Sequence, residues 1–134
     1  MSFDFTPTEK LRSFDKSAQG ALNYQSGLAA EDSVERHYEA LGAQILVRRW
    51  RGKAGEVDLV LRLGDEILFV EVKKAATCAA AAERLSFAQL ARIMSAAEEY
   101  IGELPDGLLT PVRFDAALVD SSGAVEVIEN ISLS

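Results

Sequence analysis

Two β-rich runs, Glu56 to Leu63 and Glu66 to Lys73, meet at the dipeptide Gly64-Asp65, and no other feature constrains this chain as much. Two turn residues that include a glycine, set between apolar runs, specify a tight β-hairpin. Leu63 then faces Glu66, and counting outward sets Asp58 opposite Glu71 and Glu56 opposite Lys73. Side chains alternate with period two, so Glu56, Asp58, Glu71 and Lys73 share one face while Val57, Leu59, Leu61, Leu68, Val70 and Val72 share the other. Opposed carboxylates destabilise a strand pair whose only task is packing. A divalent cation would compensate them, because Mg²⁺ takes a few carboxylate oxygens together with waters and substrate phosphate. The competing reading is a solvated face in which Glu56 and Lys73 form a cross-strand ion pair worth under about 1 kcal/mol. On hairpin geometry alone the two readings stand even.

Around the hairpin the pattern is α-β-β-β-α-β-β. From Gly27 onward, Ala30, Val34, Tyr38 and Leu41 mark one stripe of an amphipathic helix that stops at Gly42. Ala43 to Trp50 reads as a strand ended by Gly52-Lys53-Ala54-Gly55. The alanine-rich stretch Ala75 to Ala82 is a linker or helix lead-in. A second helix is expected from Ser86 to Gly102, with Ser86 and Gln89 as a capping box and Phe87, Leu90, Met94, Ala97 and Ile101 as its buried stripe. Val112 to Asp120 and Ala124 to Ile128 form a last strand pair. Strands apolar on both faces, with helices before and after them, predict an α/β fold: a mixed central sheet flanked by helices. Residues 1–26 lack any long period and read as an N-terminal arm, leaving 27–134 as a single domain.

The formal net charge of −7 opposes broad, charge-driven adhesion to nucleic acid. The charge is unevenly spread, however. Arg48, Arg49, Arg51 and Lys53 place four cations in six residues, and Lys73-Lys74 adds two more. Cys78 is the only cysteine, which rules out an internal disulfide and fits a reducing compartment. No secretory signal pattern and no run of about 18 apolar residues occurs, so the expected setting is cytoplasmic, with no membrane partner.

Gly55-Glu56-Val57-Asp58-Leu59-Val60 and Phe69-Val70-Glu71-Val72-Lys73 resemble the GEIDL and VEVK motifs of the YraN-like family. That family comprises predicted endonucleases related to archaeal Holliday junction resolvases, within the restriction-endonuclease-like superfamily with a PD-(D/E)xK site. The likeness covers roughly Gly27 to Asp120 and includes Ala29-Ala30-Glu31, Trp50-Arg51 and Arg113-Phe114-Asp115. It implies a restriction-endonuclease-like fold in which Asp58 and Glu71 bind Mg²⁺ or Mn²⁺, with the backbone carbonyl of Val72 as a further ligand. Lys73 would orient or activate the attacking water, and Glu31 would be an additional acid reaching the site from the first helix. Gln89 and Arg92 match positions in the second helix that could touch DNA, and a homodimer is implied by the resolvase kinship. Arg48, Arg49, Arg51, Lys53 and Lys74 are then the expected grip on the backbone, which positions a substrate without reading its sequence. Where many family members have Asn-Trp-Arg this chain has Arg49-Trp50-Arg51, and of the several basic residues common in the second helix only Arg92 is evident.

Two rival functions keep this fold: a nucleic-acid-binding or protein-interaction module with an inactive site, and a metal-dependent phosphohydrolase of small nucleotides. His37 is read as a surface or boundary residue and Cys78 as structural. Trp50 could stack on a base, though an aromatic that ends a strand is more often packed.

Overall fold

A computed structural model describes residues 29–131. The N-terminal arm, residues 1–26, lies outside the described residues. Helix α1 spans 29–40, followed by strands β1 (Gln44–Arg51), β2 (Glu56–Leu63) and β3 (Glu66–Lys74). Helices α2 (Cys78–Ala82) and α3 (Phe87–Ile101), a 3₁₀ turn (Gly107–Leu109), and strands β4 (Val112–Val119) and β5 (Val125–Ile128) complete the order. The sheet runs β1-β2-β3-β4-β5 and is mixed: β3 and β4 are parallel, and every other neighbouring pair is antiparallel. The parallel pair needs a crossover, which α2 and α3 supply.

Both sheet faces are covered, which explains the strands that are apolar throughout. On one face Ala30, Val34 and Tyr38 of α1 pack on Leu59, Leu61, Leu68, Val70, Ala117 and Val119. On the other, Ile93, Ala96, Ala97 and Ile101 of α3 pack on Val57, Val60, Ile67 and Phe69. Phe69 also stacks on Phe114 and meets Tyr100 edge-on, and Tyr100 in turn meets Trp50. Trp50 is therefore a packing residue.

The hairpin has the expected register, with Leu63 facing Glu66 and Leu59 facing Val70. Gly64 takes φ 64°, the positive value that the first position of a II′ turn needs. The paired ladder stops at Leu59, however. Asp58 turns its carboxylate onto the backbone N–H of Val72 at 2.8 Å, and this contact stands where the Asp58–Glu71 rung was expected. Alternation breaks at the same point. Val57 packs on the α3 side beside Val60, whereas Leu59 and Leu61 face α1. On the other flank of Asp58, Arg49 adopts φ 54° between the Arg48–Leu59 and Trp50–Val57 pairs.

Three helical expectations shift. Leu41 lies past the end of α1 and is exposed, because Leu41 and Gly42 close the helix by donating to Tyr38 and Glu39 carbonyls. The buried stripe of α3 is rotated toward Ile93 and Ala96, which leaves Phe87 73% exposed. Ser86 caps α3 by accepting from the Gln89 N–H at 3.1 Å, but the Gln89 side chain does not return to the cap. It reaches Glu71 instead. The alanine-rich stretch forms the short α2, capped by Thr77.

Candidate functional site

β3 ends on the face that α3 covers, and this places Glu71 beneath the first turn of the helix. The Glu71 side chain is buried, and its Oε2 accepts from Gln89 Nε2 at 2.5 Å and from Lys73 Nζ at 3.0 Å. Lys73 reaches that oxygen because it stands two residues further along the same strand face. Asp58, tethered to the Val72 amide, supplies the second carboxylate of the pair. Glu56, Asp58, Glu71, Gln89, Arg92 and Ile93 line one cleft of about 180 Å³.

The electrostatics follow from this enclosure. Burial first, and then the neighbouring Asp58 carboxylate, push the Glu71 carboxyl up to about 7 against the opposing pull of Lys73. One amine does not neutralise two adjoining carboxylates in a partly desolvated cleft. The donors are all hard: carboxylate oxygens and an amide, with no thiol or imidazole among the cleft's lining residues. Such a set suits Mg²⁺ or Mn²⁺ rather than a thiophilic metal. Among the described residues no three His, Cys, Asp or Glu side chains converge into a ready-made metal cage. An ion held by two carboxylates and completed by water and phosphate fits this count.

Glu31 stands on α1 near enough to Asp58 to feel its charge, and its carboxylate accepts from Arg49 Nε at 3.2 Å. Burial raises the Glu31 carboxyl, and Arg49 counteracts it. Gln89 and Arg92 both line the cleft, and Arg92 also packs over Gly55. Arg48, Arg49, Arg51 and Lys53 run along β1 and the loop after it, outside the cleft lining. Lys74, its side chain alternating away from Lys73, lines a separate cavity of about 240 Å³ with Asp32, Arg36 and Asp120. Glu56 faces the cleft and pairs with Arg51 at 2.9 Å rather than with Lys73.

Below the opposite face lies a network that the sequence reading left out. Asp115 is buried, accepts from Tyr38 Oη at 2.7 Å and from two nitrogens of Arg113 at 2.9 and 3.0 Å, and receives the Asn130 N–H at 3.0 Å. The signal was present: an arginine and an aspartate alternate inside the apolar run Val112 to Val119.

The model of the uncharacterised protein family UPF0102 matches residues 30–119, from the first turn of α1 to the last residue of β4. The chain belongs to the UPF0102 family. A UPF0102 protein of Ruegeria pomeroyi is 51% identical over 113 residues, covering 84% of this chain and 92% of that relative. One from Cereibacter sphaeroides strain KD131 is 50% identical over 111 residues, covering 83% and 95%. A third, from Dinoroseobacter shibae, is 44% identical over 130 residues, covering 97% and 94%. The UPF0102 match contains the whole cleft, from Glu56 to Ile93.

Proposed function

We propose that this UPF0102 protein is a divalent-metal-dependent nuclease that hydrolyses phosphodiester bonds, with structured or branched DNA as the substrate suggested by the YraN-like motifs. The observation that carries this reading is that Asp58 and Glu71 share one cleft with Gln89 and Arg92, while the Lys73 amine sits on the Glu71 carboxylate. Asp58 and Glu71 would hold Mg²⁺ or Mn²⁺, with Glu31 as an outlying acid. When bound, such an ion polarises a phosphoryl oxygen and lowers the pKa of an attacking water.

The protein's own groups divide the remaining work. The Val72 N–H fixes Asp58, and Gln89 fixes Glu71, so both carboxylates are oriented before substrate arrives. Lys73, held on the Glu71 carboxylate, is the amine that would stabilise charge developing on the phosphate as water attacks phosphorus and the leaving oxygen departs. Arg92, at the exposed edge of α3, offers a contact to an adjoining phosphate.

Incubation of linear, flapped and four-way DNA with Mg²⁺ or Mn²⁺ tests the reading, with Lys73→Ala as control. Cleavage by the wild type that disappears in the control is expected. Undiminished cleavage in the control overturns the role of Lys73, and binding with no cleavage in any metal leaves a nucleic-acid-binding module. The homodimer implied by the same likeness is decided by sedimentation equilibrium of the full chain.

A further inference from the structure

The cations of β1 are already paired. Arg48 forms a bidentate pair with Glu35 of α1, with Nε and its second nitrogen at 2.8 and 2.9 Å from the two carboxylate oxygens. Arg49 meets Glu31 at 3.2 Å, and Arg51 meets Glu56 at 2.9 Å. Each pair has the same polarity with respect to solvent. The arginine side chains are 62%, 40% and 77% exposed, while their acids are 12%, 18% and 42% exposed. A partner approaching β1 therefore meets guanidinium groups first, each backed by a carboxylate that cancels its charge. Asp32 and Glu39 of α1 add to the acidic surroundings of Arg48.

Carboxylate and phosphate bind the guanidinium fork in the same bidentate manner, so they compete for it directly. We infer that Glu31, Glu35 and Glu56 are built-in competitors of phosphate, and that a nucleic-acid backbone docks on β1 by displacing them from Arg49, Arg48 and Arg51. This rests on nucleic acid being the partner proposed above. It adds a selection rule: with a net charge of −7 and a neutralised strip, isolated phosphate contacts gain little. A substrate must engage several arginines at once, together with the cleft, to be retained.

Glu35 lies outside the cleft, so it isolates the effect. Binding of a labelled DNA duplex in EDTA at low salt, followed by fluorescence anisotropy, compares wild type, Glu35→Gln, Arg48→Ala and the double variant. Glu35→Gln is expected to tighten binding about two- to fivefold, the order of one displaced ion pair. The gain should vanish in the Arg48→Ala background, as a double-mutant cycle requires of a direct pair. Should Glu35→Gln lower stability, Glu56→Gln at the more exposed Arg51 pair is the second variant; because Glu56 lines the cleft, its gain counts only where it vanishes in an Arg51→Ala background.

The competitor role is overturned by unchanged affinity in both neutral variants, by an equal gain with and without Arg48, or by no binding in any variant. Cleavage is scored separately with Mn²⁺. Tightened binding without cleavage removes the nuclease reading alone, and cleavage without the gain removes the competitor role alone.

Discussion

Glu71 concentrates the chemistry of the site in one buried carboxyl. Its folded-state pKa of about 7 exceeds its ordinary value of 4.5, so the folded chain holds that proton more tightly than the unfolded chain. The resulting stabilisation is full below about pH 4.5 and is lost as pH rises through 7. Metal-free melting temperature should therefore fall between about pH 5 and pH 8, and Glu71→Gln should flatten that slope; an unchanged slope in the variant would place the titration elsewhere. For Lys73, loss of a donor to developing charge typically lowers turnover by about 10²- to 10³-fold. Lys73→Ala should show that loss in cleavage assays while melting as a folded protein. On the other face, Asp115 compensates Arg113, whose side chain is only 17% exposed. Removing one member of a buried pair strands its partner, so Asp115→Ala should destabilise by about 3 kcal/mol in urea unfolding. A value near zero would mean that Arg113 finds other acceptors.

At the scale of elements, the glycine loop between β1 and β2 sets the cleft's border through α3. Glu99 accepts from the Lys53 N–H at 2.8 Å, and Gly52 lies so close that a methyl group there would meet both the Glu99 carboxylate and the Trp50 ring. Glu99 can swing away, but Trp50 is held by Tyr100. Gly52→Ala should thus cost about 1–3 kcal/mol, measured by thermal unfolding, because the ring must move out of a packed position. The hairpin's turn, its register as far as Leu59 and the order of the elements could be read from the chain, since they depend on neighbours a few residues apart. The rotation of α3 could not. Ala97 and Ile101 of the expected stripe are buried and Leu90 packs at the core's edge, but only the shape of the sheet beneath decides that Ile93 and Ala96 are buried while Phe87 is exposed. That selection brings Gln89, expected as a DNA contact, onto Glu71.

For the whole molecule, linkage between metal and folding follows if Asp58 and Glu71 hold the ion. A ligand bound by the folded state alone stabilises by about 2.7 kcal/mol at a hundredfold excess over its dissociation constant. Mn²⁺ should raise the melting temperature of the wild type at about pH 8 more than at about pH 6, because proton and metal compete for Glu71. Asp58→Ala should abolish the rise, and a rise that survives in this variant would locate the ion elsewhere. No helix among the described residues is long and apolar enough to cross a membrane.

The chain alone determined its α/β class, the order of its elements, the hairpin register and the set of acids and lysine carried on that hairpin. These are encoded locally, by turn residues and by period-two and period-3.6 apolar patterns. Tertiary structure decided what those charges touch. Asp58 leaves its rung for the Val72 amide, Glu56 goes to Arg51 rather than Lys73, and the cations of β1 are neutralised by α1 and β2. Charged side chains are long and take whichever partner folding brings nearest, so their pairing follows from packing between distant segments and leaves no periodic mark in the sequence.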